Sequence, residues 1–268
     1  MLKSRSLRFQ RKHLSIPYAL FLLGFVIIPV FVIIYYAFTN SEGHFSFENL
    51  VSFFQDGTKL NSLAISFVYG FANTAICLLI GYPVAMILSN KKYNKNAVIV
   101  MMFVMPMWIN FVIRTWATRD VLTWIGLSGG VYPEIASIIG LVYNYLPFVI
   151  LPLYTTMLKM DRSQIEASMD LGANRAKTFV KVIIPMTMPG IVSAATMVFM
   201  PTMSSYVVTD ILSEQKVTLF GRAIEDLFMN QRWNAGSFLA LIMLLLIGLS
   251  VLVTRHFSKN EEERASIW

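Results

Sequence analysis

Cysteine is all but missing. The one residue, Cys77, stands inside an apolar run, and a single thiol closes no intrachain disulfide. Histidine is nearly as scarce: His13, His44 and His256 fall in a tail, a loop and a helix end, with no spacing that would gather a metal ion, so no metal site is expected. The Walker pattern GxxxxGK[ST] is absent, which excludes this chain as an ATPase of the P-loop type. No unit repeats with a period of roughly 20 to 50 residues, and no low-complexity linker divides the chain, so solenoid and tethered-module architectures are set aside. Charge is thin as well, at 14% of residues.

What is abundant is apolar. Hydrophobic residues make up 56% of the 268 positions, enough for several bilayer crossings, each needing ~20 residues. Apolar runs of spanning length occur at 16–38, 62–89, 97–116, 135–158, 186–208 and 236–254. The expectation is an all-α polytopic membrane protein with six transmembrane helices. The first run exceeds a signal-peptide apolar region and has no small-residue cleavage site behind it, so it is expected to remain as a helix. The stretch DVLTWIGLSGGVYPE, 120–134, has apolar residues interrupted by glycines and a proline, which predicts a short interfacial piece.

The net charge of +7 is not a nucleic-acid signal, because the basic residues lie in short loops beside apolar runs and form no folded basic face. It is an orientation signal. Sixteen Lys and Arg fall on one side: Lys3, Arg5, Arg8, Arg11 and Lys12; Lys91, Lys92 and Lys95; Lys159, Arg162, Arg175, Lys177 and Lys181; Arg255, Lys259 and Arg264. Six fall on the other: Lys59, Arg114, Arg119, Lys216, Arg222 and Arg232. The positive-inside rule therefore predicts both termini in the cytoplasm.

Between two apolar runs, on the side predicted to be cytoplasmic, the chain reads QIEASMDLGANRAKTFVKVIIPMTMP, 164–189. Ser163 followed three residues later by Glu166 fits a capping box, predicting a helix to about Leu171. Gly172 accepts the left-handed conformation that stops it. Ala176, Phe179, Val180 and Ile183 then fall on one helical face, and Pro185 is expected to close the second piece. Two readings of this helix-break-helix are open: packing on the ends of its own bundle, or docking a partner.

Polar groups within spans are costly and need a reason. Asn73, Thr74 and Ser193 read as helix–helix hydrogen-bonding groups. Trp108, Asn110, Tyr143, Tyr145, Tyr206 and Asp210 form a set that would suit a cationic substrate, since aromatic faces and a carboxylate replace water around an ammonium group; Trp and Tyr at span ends are equally the residues of an interfacial belt. Arg114 would repel a polycation and reads as structural, paired with Asp210 or Asp120. Pro106, Pro147, Pro152, Pro189 and Pro201 sit inside spans, where each removes a backbone hydrogen bond and permits a kink. An intramembrane protease is disfavoured because no Ser–His pair or second intramembrane aspartate is present. An ion-coupled transporter would show inverted repeats, which are not visible.

EASMDLGANRAKTFVKVIIPMTMPG resembles the signature loop of ABC importer permeases: Glu-Ala, a glycine a few residues on, a nine-residue gap, then aliphatic residues ending in proline. Glu166, Ala167, Gly172, Val182, Ile184 and Pro185 match, and Ser168 departs from the usual second alanine. MPMWINFVIRTWA, IIGLVYNYLPFVILPLYTTM and IPMTMPGIVSAATMVFMPTMSSYVVTDIL extend the resemblance to the first permease subunit of spermidine/putrescine importers. The resemblance implies a type I importer permease, with 1–60 a tail, first helix and external loop, 61–258 the permease core with its coupling loop at 159–185, and 259–268 a cytoplasmic tail. It implies coupling roles for Glu166, Ala167, Asp170, Gly172, Ala173 and Pro185. Implied partners are a second homologous permease, a cytoplasmic ABC ATPase dimer that binds the ATP and Mg, and an extracellular binding protein or domain. A polyamine is the implied cargo, an inorganic anion or iron the runner-up. No cofactor is expected in this chain.

Overall fold

The computed structural model describes residues 15–40, 42–90 and 98–265. The basic tail up to Lys12, His13 and the loop lysines Lys91, Lys92 and Lys95 lie outside the described residues, as do the side chains of Arg255, His256, Lys259 and Arg264. Among the described residues, regular structure is helical apart from one isolated bridge between Thr39 and Phe45. Two compact units emerge: 1–56 with 226–244, and 57–225 with 245–268.

In the first unit α1 (Ser15–Leu22) passes through a π-helical turn at Leu23–Ile27 into α2 (Ile28–Ala37), and α3 (Glu48–Gln55) follows. The side chains along this first span are almost all outward-facing and apolar, from Tyr18 and Phe25 to Phe31 and Tyr35, as lipid requires. The end of the span is fixed by amides. Asn49 donates to the carbonyls of Ala37 (3.0 Å) and Thr39 (3.2 Å), and Asn234 to that of Thr39 (2.8 Å), satisfying helix-end carbonyls that lack intrahelical partners.

The second unit begins with α4 (Gly57–Leu88), α5 (Val98–Val104), a 3₁₀ turn at Met105–Trp108 and α6 (Phe111–Trp124). It continues through α7 (Pro133–Leu158), α8 (Arg162–Asp170), α9 (Arg175–Thr178), a second π turn at Phe179–Ile183, α10 (Ile184–Ser204) and α11 (Tyr206–Leu212). Last in the chain come α12 (Phe220–Met229) and α13 (Trp233–Ala265). Helices α4, α7 and α10 pack against one another around Cys77, Ala85, Val149, Ile150, Leu153 and Val198. Small residues let them approach closely: a Cβ on Gly81 would stand 2.7 Å from Val149 Cγ1. Asn73 donates to Thr202 Oγ1 at 2.7 Å across α4 and α10, and the hydroxyls of Tyr82 and Thr187 meet at 2.8 Å. Thr74 differs from its expected role, bonding the Gly70 carbonyl of its own helix at 2.7 Å.

Five segments are long and apolar enough to span: Pro17–Ala37, Gly57–Leu88, Pro133–Leu158, Arg175–Ser204 and Trp233–Leu252. The run expected at 97–116 is not one straight helix. Val98–Trp108 and Phe111–Trp124 meet at 97°, and six spans result only if this bent pair counts as one. Pro106 withholds an N–H in the 3₁₀ turn, and Asn110 starts a new helix as its N-cap, accepting from the amides of Val112 (2.9 Å) and Ile113 (3.4 Å). The 120–134 stretch is helical as far as Trp124 and turns at Gly126, φ +83°. The fifth span ends at Ser204, short of the expected 208, because Ser205 leaves the helical region (φ −84°, ψ 57°) before α11 begins.

Candidate functional site

The polar hairpin at 159–185 is built from local bonds. Its first helix is capped by Asp161, whose carboxylate accepts from Ser163 N at 2.9 Å; the expected capping box is not formed, since Ser163 already lies inside α8. These bonds hold the Asp161 carboxyl below the usual carboxylate range. At the other end the Gly172 amide bonds the Met169 carbonyl (2.9 Å) and the Ala173 amide the Ser168 carbonyl (3.1 Å), a Schellman closure with Gly172 at φ +84°. Asn174 caps α9 by accepting from Lys177 N at 2.8 Å. Ser168, the residue that departs from the signature, bonds Thr178 at 3.2 Å between the two side-chain oxygens and so ties α8 to α9.

Pro185 does not close the second piece. A helical path runs from Arg175 to Ser204, and Pro185 is accommodated by the π turn ahead of it, in which the Ile184 amide bonds the Phe179 carbonyl. That i→i−5 bond widens the turn where a proline ring would otherwise meet the carbonyl four residues back. The same device precedes Pro29, where the Ile28 amide bonds the Leu23 carbonyl. The widened turn also displaces the expected apolar stripe. Ile183 is buried and Phe179 packs edge-on against Tyr82 at 5.7 Å, while Ala176 and Val180 face outward. Of the residues singled out for coupling, Glu166, Ala167, Asp170, Gly172 and Pro185 are exposed and Ala173 is half-buried. Leu171 at the tip is 89% exposed, an apolar knob that sequence reasoning passed over.

A second site lies between α6, α7, α10 and α11. A cavity of about 510 Å³ is lined by Phe111, Arg114, Asn144, Tyr145, Phe148, Ser204, Ser205 and Tyr206, among others. Arg114 is the one charged side chain among its described lining residues, and it is not paired with Asp210 or Asp120. Its Nε and Nη2 donate to Asn144 Oδ1 at 2.9 and 2.6 Å, its Nη1 to the Pro106 carbonyl at 2.9 Å, and its guanidinium lies 5.3 Å from the Tyr143 ring centre. The Pro106 carbonyl at the broken span, which also accepts from Ile109 N at 3.2 Å, thus takes a second donor from an arginine. Asp210 instead accepts from Arg222 at 2.6 Å, and the same Nη1 reaches Glu225 at 3.4 Å. Of the expected pathway set, Tyr145 and Tyr206 line the cavity. Trp108 is 85% exposed away from its walls, Asn110 serves as a cap, Tyr143 stacks on Arg114, and Asp210 lies one turn beyond Tyr206 on α11. Arg222 and Glu225 were missed because they follow the last polar break and carry no spacing signal of their own.

The family model for the binding-protein-dependent transport system inner membrane component matches residues 8–261. The chain belongs to that family. It is a membrane permease component of a transport system and not an enzyme, which sets aside the protease and ion-coupled readings. A spermidine/putrescine transport system permease protein of Haemophilus influenzae is 34% identical over 276 residues, covering 94% of this chain and 95% of the relative. The Escherichia coli protein of the same description is 33% identical over 195 residues, covering 67% and 71%. Among solved structures, a bacterial ABC transporter bound to an alginate-loaded periplasmic protein superposes with a TM-score of 0.69 at 16% identity, covering 93% of each chain. The MetNI methionine transporter gives 0.55 at 21% identity, covering 76% of this chain and 94% of that one. These likenesses establish the importer-permease fold.

Proposed function

We propose that this chain is one of two homologous permease subunits of an ATP-driven importer that carries a polyamine, spermidine or putrescine, into the cell. The observation that carries the substrate is the Haemophilus influenzae relative, a spermidine/putrescine permease matched over nearly the full length of both chains. In this reading 61–258 is the permease core, both termini and the 159–185 hairpin face the cytoplasm, and the hairpin seats on an ATPase dimer that binds ATP and Mg. An extracellular binding protein delivers the substrate. Coupling falls to Glu166, Ala167, Asp170, Gly172, Ala173 and Pro185; the exposed tip, closed by the Schellman bonds at Gly172, supports it. The pathway set is Trp108, Asn110, Tyr143, Tyr145, Tyr206 and Asp210, with Tyr145 and Tyr206 supported by their place on the cavity wall. Aromatic faces there would take ammonium and methylene groups, each cation–π contact worth roughly 0.5–2 kcal/mol.

An inorganic anion is the second reading, favoured by Arg114 being the charged group on the cavity wall. Uptake into vesicles holding the whole complex decides. Labelled spermidine or putrescine should enter in an ATP- and binding-protein-dependent manner and be displaced by the other polyamine but not by phosphate or sulfate. Displacement by the anions alone would overturn the polyamine reading.

A further inference from the structure

Arg222 stands between two carboxylates. Its Nη1 is 2.6 Å from Asp210 Oδ2 and 3.4 Å from Glu225 Oε2, and all three side chains are only partly exposed, at 30%, 13% and 25%. One guanidinium is thus shared by two carboxylates, in partial burial where charge is poorly screened. The cluster adjoins the cavity. Tyr206 lines the cavity wall, and Asp210, four residues on along α11, lies on the same helical face. The guanidinium that the cavity itself contains, Arg114, is engaged by Asn144 and the Pro106 carbonyl and offers no carboxylate to a cation. A cationic substrate crossing here therefore meets its counter-charge at the Asp210–Glu225 pair, already held by a resident cation.

We propose that Arg222 is a specificity-determining residue, a built-in competitor that occupies the Asp210–Glu225 pair until an ammonium group of the substrate displaces it. The inference rests on the polyamine reading above and extends it to residues on α12. No bond is made or broken; one cation exchanges for another, and the displaced guanidinium swings to solvent on its flexible stem. The exchange keeps the pair from trapping a polycation, since release restores the arginine contact. It also weights the site towards ligands with two or more ammonium groups, which set a separate charge against each carboxylate.

The test is equilibrium binding of labelled spermidine to the assembled permease–ATPase complex in lipid nanodiscs, without the binding protein, whose own affinity would mask the effect. Arg222→Gln removes the competitor and should tighten binding about tenfold, the lower range of coupling for close charge pairs. Arg222→Lys, shorter and unable to reach the same position, should tighten it about threefold. Adding Asp210→Asn to Arg222→Gln should abolish the gain. Binding that is unchanged or weaker in both arginine variants, a gain that survives Asp210→Asn, or failure of both variants to assemble would each assign Arg222 to structure alone and overturn the inference. Spermidine uptake by the wild-type complex with its binding protein separates the two levels. If uptake is present and the variants do not move, this inference fails by itself; if uptake is absent, the substrate reading fails and takes it along.

Discussion

Asn144 holds Arg114 through a single oxygen, Oδ1 accepting from Nε at 2.9 Å and from Nη2 at 2.6 Å. The amide's other end is also engaged, its nitrogen donating to the Gly140 carbonyl at 3.0 Å, so the side chain cannot turn away without breaking bonds at both ends. A buried cation is thereby satisfied by neutral acceptors in place of a carboxylate.

Asn144→Leu should strand the Arg114 guanidinium, costing about 3 kcal/mol. A fall in the melting temperature of the purified complex in detergent would register it. Arg114→Met in the same chain should recover most of the loss, because the unmet charge goes with it. Equal damage from the double variant would mean that the pair matters for packing and not for charge.

At Gly172 an added Cβ would meet no heavy atom within 4 Å, so the constraint there is the backbone angle, φ +84°, and not space. Gly172→Val should cost about 1–3 kcal/mol of local backbone strain and open the hairpin tip, whereas Gly172→Asn should be tolerated. ATP hydrolysis stimulated by the loaded binding protein, measured on complexes of equal subunit content, should fall in the valine variant and persist in the asparagine one.

Asp161, not Ser163, caps the first hairpin helix, which separates stability from coupling cleanly. Asp161→Ala should loosen the first turn of α8, visible as faster amide exchange at Ser163 than in the unchanged chain at the same pH. Glu166→Ala should leave that exchange unchanged and act, if the residue couples, on stimulated hydrolysis alone. The cap also carries a pH signature. Its folded-state carboxyl is held below the ordinary range, so its contribution is complete above the unfolded value and is lost as pH falls through the folded one. The protection of α8 amides, after correction for the intrinsic exchange rate at each pH, should therefore fall only in acid and be flat through neutrality.

Gly81→Ala would place a methyl 2.7 Å from the γ-methyl of Val149, a β-branched side chain held rigid on a buried helix. A loss of about 1–3 kcal/mol is expected from overpacking. Val149→Ala in the same chain should relieve it, an outcome that thermal unfolding of the double variant would reveal.

Much of this architecture is legible in the sequence. Continuous apolar runs mark spans because a bilayer leaves the backbone few alternatives, and Gly172 is readable because a left-handed turn after a helix favours glycine. What the sequence hides has physical causes too. Hydropathy does not distinguish a straight span from one bent 97° when both halves are apolar, as between Met105 and Asn110. Helical periodicity assumes a fixed turn, and the π turn at 179–183 breaks that assumption, which moves Val180 outward and carries the helix through Pro185. Charge pairing misleads for the converse reason: Arg114 finds neutral oxygens thirty and eight residues away, a choice made by packing that no spacing announces.

Because the helix is continuous from Arg175 to Ser204, the hairpin and the cavity wall are two ends of one lever. A rod of that length, about 45 Å at the helical rise, turns a tilt of roughly 5° at one end into a sweep of roughly 4 Å at the other. Its far end presses on a sensitive neighbour: a Cβ at Gly221 would stand 2.9 Å from the Ser204 carbonyl oxygen, and the next residue is Arg222. Torque applied at the hairpin would travel along this path, less what the π turn at 179–183 and the kinks permitted at Pro189 and Pro201 take up, and arrive beside the guanidinium that holds Asp210 and Glu225 together.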